Sequence, residues 1–149
     1  MIDMVSKESK ALRILLVEDS PADARALREM LAEARTFEFE FREVASMSAA
    51  ESYLAVERFD VIVLDIFLPD SSGMETYERA RSAARQTPIL ILTGLNNESF
   101  AAKLMQVGAK GYFIKGTVDQ EHFIRSIQSV LRRKAEPPFA AQKIMGEKT

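Results

Sequence analysis

Five short apolar runs recur along this chain, and an amphipathic stretch follows each one. The runs are "RILLV" at 13–17, "FEFEFREV" at 37–44, "VIVL" at Val61–Leu64, "PILILTG" at 88–94 and "GYFIKG" at 111–116. Strict alternation of strand-like and helix-like segments restricts the chain to a parallel sheet with helices on both faces. The third run is apolar without interruption, as suits a strand covered from both sides. The second alternates apolar and charged residues, as a strand with one wetter face does.

The helical patterns carry their own start signals. Ser20-Pro21 supplies a cap and a first-turn proline, and Leu27, Met30, Leu31 and Ala34 then fall on one face. Ser48 and Glu51 match a capping box for a second helix, with Ala50 and Leu54 as its expected buried positions. Further helices are expected at 74–84, 99–107 and 119–134, the last with Phe123, Ile127, Val130 and Leu131 as its stripe. Met30, Met47, Met74 and Met105 read as gap-filling core or interface residues. Residues 1–11 and 135–149 fall outside the alternation. They are expected to be an N-terminal extension and a C-terminal tail or linker stump, the latter too short to fold as an output domain.

Composition excludes several kinds of chemistry. No cysteine is present, so disulfides, thiolate metal sites and cysteine nucleophiles are ruled out, and the lone His122 cannot build a zinc site. His122 reads simply as a partly exposed helix residue. A net charge of -2 gives no basic field for a phosphate backbone, which argues against direct nucleic-acid binding. No apolar run approaches the ~20 residues that span a bilayer. The expectation is a cytoplasmic protein without membrane attachment.

Right-handed crossovers and a reversal of strand order open a crevice at the carboxyl ends of such a sheet. The residues delivered there are Glu18 and Asp19 from the first strand, Asp65 from the third, Thr93 from the fourth and Lys115 from the fifth. Each alone could be a solvated turn or surface charge. Together they form a cluster of carboxylates that would repel one another without a cation. Oxygen ligands of this kind suit Mg²⁺, which keeps several waters and takes one or two carboxylates. Asp65 can then act as a nucleophile, with Thr93 and Lys115 facing an anion of three oxygens, the layout for phosphoryl transfer onto a carboxylate. Nucleotide-binding glycine loops are missing. Phe67 stands where aspartate-nucleophile phosphatases carry a second acid, and Glu18-Asp19 would repel the phosphate of a flavin.

The pieces "LLVEDSPADA", "VIVLDIFLPDSSGME", "PILILTG" and "GAKGYFIKG", in this order, resemble the response-regulator receiver domain of two-component signalling over about residues 12–134. The resemblance implies a single doubly wound α/β fold with a five-stranded parallel sheet in flavodoxin-like order 2-1-3-4-5. It implies Asp65 as phosphoacceptor, with Glu18, Asp19, Asp65 and the backbone carbonyl of Phe67 holding Mg²⁺. Lys115 would pair with the phosphoryl group, Thr93 would move to hydrogen-bond it, and Tyr112 would be the aromatic switch. Pro69 and Gly73 would shape the loop after the acceptor. Phe67 and Leu95 would flank the path of attacking water and set the lifetime of the phosphorylated state.

By the same resemblance the chain is a switch and not a separate enzyme, catalysing only its own phosphorylation and slow dephosphorylation. Implied partners are a histidine kinase or phosphotransfer protein and a downstream effector protein or missing output domain. A homodimer through the face formed by 99–107, Gly111–Ile114 and 119–134 is a further implied association. The rival reading is a degenerate receiver that binds proteins without phosphate. One departure from the family pattern is Gly116, where proline usually follows the lysine, so a trans bond and a more mobile loop are expected.

Overall fold

The computed structural model describes residues 11–35 and 37–135. Apart from residues 11 and 135, the expected extension and tail lie outside the described residues. The sheet strands are β1 (Leu12–Val17), β2 (Phe39–Val44), β3 (Val61–Leu64), β4 (Ile89–Thr93) and β5 (Gly111–Ile114). The helices are α1 (Pro21–Ala34), α2 (Met47–Leu54), α3 (Met74–Ala83), α4 (Glu98–Gln106) and α5 (Gln120–Ala135). A two-residue ribbon, Phe67–Leu68 against Ser71–Ser72, lies outside the sheet and is left unnumbered. All sheet pairings are parallel and run β2-β1-β3-β4-β5, so the chain reverses direction across the sheet between β1 and β3. The expected doubly wound α/β fold is the observed one.

Burial follows the apolar runs. Every side chain of Val61–Leu64 is fully buried. Alternate strand residues feed two cores, one on each face. Leu15, Ile62, Leu64 and Ile91 pack with Met47, Ala50, Tyr77 and Leu104 under α2, α3 and α4. Ile14, Val61, Val63 and Leu90 pack with Leu27, Leu31, Phe123 and Ile127 under α1 and α5. On β2, Phe39 and Phe41 are half-buried while Glu40 and Glu43 are exposed, so the alternation read from "FEFEFREV" holds on its wetter edge. His122 is exposed, its ring edge-on to Phe113 at 5.2 Å.

Two expectations need correction. The second helix begins earlier than its capping-box pattern indicates. Ser46, not Ser48, is the cap, its hydroxyl accepting the Ala49 N–H at 3.1 Å, and Leu54 is only partly buried. The capping-box residues are engaged elsewhere: Ser48 meets Asp70, and Glu51 pairs with Arg79 at 2.8 Å. Met105, expected as a core or interface residue, is 44% exposed, which removes the core half of that expectation. Ser20 caps α1 as expected, accepting the Asp23 N–H at 3.2 Å.

The loop after β3 is tied down from several sides. Gly73 adopts φ 66°, ψ -137°, a conformation that side chains disfavour, and its N–H reaches Ile66 O at 2.7 Å. The fully buried Thr76 donates its hydroxyl to the same carbonyl at 3.0 Å and sits 2.6 Å from Ser71 Oγ. Asp70 accepts the Met47 and Ser48 N–H groups, each at 2.9 Å, so the loop supplies a second cap to α2. Those two backbone hydrogen bonds hold the Asp70 carboxyl below its usual range.

This contact gives the first prediction. Asp70→Ala should cost about 1 kcal/mol at pH 7, the usual worth of a helix cap, or about 4 °C in Tm. A depressed folded pKa stabilises above the unfolded pKa and loses that contribution as pH falls through the folded value. The gap between variant and wild type should therefore close as the medium is taken below about pH 4. Thermal melts across that range check it; a gap that stays constant would refute the charge-based cap.

Candidate functional site

The β1–β3 register ends with Val17 opposite Leu64, so the next residues, Glu18 and Asp65, come out side by side. The Asp65 N–H still bonds Val17 O at 3.0 Å, which carries the ladder one step past the strands. Both carboxylates are buried, at 7% and 6% exposure, because the neighbouring strands and loops cover them. Lys115 leaves β5 with its N–H on Thr93 O at 2.8 Å. Two strand spacings of about 5 Å separate β5 from β3, so only a long side chain reaches Asp65 from there. The Lys115 ammonium makes that reach, 2.8 Å from Asp65 Oδ2 and 2.8 Å from Glu18 Oε1.

Burial works against the charged form of Lys115, but the hydrogen bonds it donates to Asp65, Glu18 and Asp23 outweigh it and raise its pKa. For Glu18 the balance differs. Burial dominates and raises its pKa, although Lys115 and the Ser20 N–H at 3.0 Å pull the other way. The rim thus holds one firmly charged cation beside a Glu18 carboxylate that burial disfavours.

The other expected site residues gather around this pair. Asp19 is exposed, and its carboxylate lies with those of Glu18 and Asp65 so that one oxygen from each falls within 4.8 Å of the others. Phe67 donates its N–H to Asp65 Oδ1 at 3.1 Å, while the residue as a whole is 43% exposed. Thr93 is fully buried, its hydroxyl 3.5 Å from the Leu95 N–H. Tyr112 is half-buried, which raises its pKa, and donates its hydroxyl to Leu95 O at 2.8 Å. Pro69 is exposed at the ribbon turn. No cis peptide occurs among the described residues, so the Lys115-Gly116 bond is trans, and Gly116 has φ 86°.

One residue of the cluster escaped the sequence reading. Asp23, in the first turn of α1, pairs with Lys115 at 3.0 Å. Its signal was the Ser20-Pro21 start, which aims that turn at the same rim. A hollow of about 890 Å³, lined by Arg13, Asp60 and Thr87, opens at the opposite end of the sheet, away from this rim.

The donor set fits a hard divalent cation. All three clustered side chains offer oxygen, and buried carboxylates at this spacing gain from any cation that joins them.

A parallel 2-1-3-4-5 sheet with an acid-lined carboxyl edge and a lysine reaching across it is a doubly wound α/β domain of the CheY-like kind. The chain belongs to the response regulator receiver domain family, whose model matches residues 14–128. Among curated relatives, it is 36% identical over 124 residues to the transcriptional activator protein IrlR of Burkholderia pseudomallei, covering 82% of this chain and 51% of that protein. It is 32% identical over 125 residues to the transcriptional regulatory protein CusR of Escherichia coli, covering 83% and 53%. The chain therefore spans about half the length of the curated relatives it matches. Among solved structures, the receiver domain of a sensor histidine kinase from Pseudomonas aeruginosa superposes with TM-score 0.69 at 25% identity, over 82% of this chain and 98% of that one. That protein carries a magnesium ion coordinated in its active site cleft. A LuxR-family response regulator from Aurantimonas gives TM-score 0.71 at 28% identity, over 93% and 99%.

The charge balance at the rim is open to test. Lys115→Met leaves Glu18 and Asp65 without their shared cation and should destabilise the fold by about 2 kcal/mol, discounted from a fully buried pair because Lys115 is partly exposed. Adding Asp65→Asn to Lys115→Met should recover most of that loss. Urea unfolding of the two variants checks this, and a second substitution that deepens the loss would refute it.

Proposed function

We propose that this chain is a phosphorylatable receiver that takes a phosphoryl group onto Asp65 from a histidine kinase or a phosphotransfer protein. The observation that carries the reading is the Lys115 ammonium 2.8 Å from Asp65 Oδ2, on a rim that also holds Glu18, Asp19 and Thr93. An oxygen of the Asp65 carboxylate attacks phosphorus, the phosphorus–nitrogen bond of the donor phosphohistidine breaks, and its electron pair leaves with the imidazole. Glu18, Asp19, Asp65 and the Phe67 carbonyl would hold Mg²⁺, which supplies charge neutralisation for the phosphoryl oxygens. Lys115 meets one of those oxygens, and the Thr93 hydroxyl turns to meet another.

The switch follows from what Thr93 and Tyr112 now touch. Drawing Thr93 inward releases the Leu95 N–H, and Tyr112 exchanges its bond to Leu95 O for the vacated space. The surface altered is that of α4, β5 and α5, where a downstream effector protein or a second copy docks. In this reading residues 12–134 are the receiver, 1–11 an extension and 135–149 a tail or linker to an output region. Two relatives of about twice this matched length, a transcriptional activator and a transcriptional regulatory protein, support output beyond the receiver. The module itself makes no direct contact with nucleic acid or membrane and works in the cytoplasm. No helix among the described residues is long and apolar enough to cross a membrane. The complete set of Asp65, Thr93 and Lys115 argues against a phosphate-independent binding module.

Acetyl phosphate with Mg²⁺ should add one phosphoryl group to the wild type and none to Asp65→Asn, read by intact mass. Millimolar Mg²⁺ should also raise the wild-type Tm by mass action and leave Asp19→Asn nearly unmoved. Absence of both label and Mg²⁺ response would sink the reading.

Lifetime should be set by Phe67 and Leu95, which are apolar and cannot orient a water or act as a base. Self-dephosphorylation should be slow, with rapid reset needing a partner phosphatase or back-transfer. Phe67→Asn and Leu95→Glu should each speed loss of label about 10-fold, some 1.4 kcal/mol of barrier. A wild type that loses its label within seconds, or variants no faster than it, would overturn this assignment.

A further inference from the structure

An ammonium carries three N–H donors, and Lys115 meets three carboxylates: Glu18, Asp65 and Asp23. Two of the three, Glu18 and Asp65, also belong to the oxygen cluster that suits a divalent cation, whereas Asp23 does not. The Lys115 N–H is fixed on Thr93 O at 2.8 Å, but the chain just beyond it is open. Gly116, the next residue, is exposed, has φ 86° and would meet nothing within 4 Å if it carried a Cβ. Asp23, by contrast, is anchored, its N–H held by Ser20 Oγ behind the Pro21 turn. It lines a small hollow of about 220 Å³ with Lys115, Gly116, Met30 and Val118.

We infer that Asp23 is a positioning residue: it occupies one donor of Lys115 and so limits how strongly that ammonium competes with Mg²⁺ for Glu18 and Asp65. The inference rests on the receiver reading above. With Asp23 in place, Lys115 keeps a partner when a cation enters, and it can give up a contact with Glu18 or Asp65 without losing every counter-charge. With a neutral residue at 23, the only counter-charges left to the ammonium are the two carboxylates that the cation needs. An acid in the first turn of a helix is ordinary on dipole grounds alone, so the test must separate contact with Lys115 from a general negative field.

Magnesium affinity is measured by calorimetry on four proteins: wild type, Asp23→Asn, Lys115→Met and the double variant. Asp23→Asn should weaken Mg²⁺ binding about 5-fold in the wild-type background and less than about 2-fold when Lys115 is already absent. Equal weakening in both backgrounds, or none in either, would overturn the inference while leaving the receiver reading intact. A wild type that binds no Mg²⁺ would overturn both. As a second measurement that needs no Lys115 variant, wild type and Asp23→Asn are compared at about 0.05 M and about 0.5 M salt. A ratio of affinities that survives the higher salt supports a contact, and one that collapses to unity refutes it.

Discussion

Two buried carboxylates on adjacent strands dictate much of what surrounds them. Glu18 and Asp65 emerge next to each other because β1 and β3 are in register to their last residues. Neither is in open water, and like charges this close are costly without a cation. Lys115 resolves the conflict from two strands beyond Asp65, which requires β4 to end in something small enough to be crossed. Thr93 and Gly94 meet that need. The opposite edge of the sheet is stabilised differently. There Arg13 pairs with Glu40 and Glu57 while Asp60 accepts its backbone N–H, all at least partly wetted. Charge at one end of the sheet is structural trim; at the other it is stored tension.

Much of this was legible from residue order. The five apolar runs fixed strand identity, since a run such as Val61–Leu64 has no polar face to turn toward water. The acids, Thr93 and Lys115 were recognisable because each sits where a strand stops, and parallel strands all stop on one side. What stayed hidden depends on contacts between elements that are distant in sequence. Asp23 looked like an ordinary helix-start acid, and only the fold brings Lys115 to it. Ser48 and Glu51 mimicked a capping box because the pattern is local, while Asp70 and Arg79 arrive from the next loop and helix to claim them. Met105 fell on the exposed side of a short helix whose apolar residues outnumber its buried positions; only Leu104 is fully covered there.

The two flanks of the rim are held very differently. On one, Ile66 O is grasped twice, by the Gly73 N–H and the Thr76 hydroxyl, and Asp70 bolts the same loop to α2. On the other, Thr93 meets the Leu95 N–H only at 3.5 Å, the outer limit of a hydrogen bond, and Tyr112 rests on a single carbonyl. Mechanical compliance at this rim is therefore one-sided. A push delivered at Asp65 meets a stiff wall toward α2 and α3 and a yielding one toward α4. A displacement that started there would find fewer hydrogen bonds to break on the α4 side. Directionality of this kind needs no long-range wire through the core, only unequal stiffness on the two sides of one charged group.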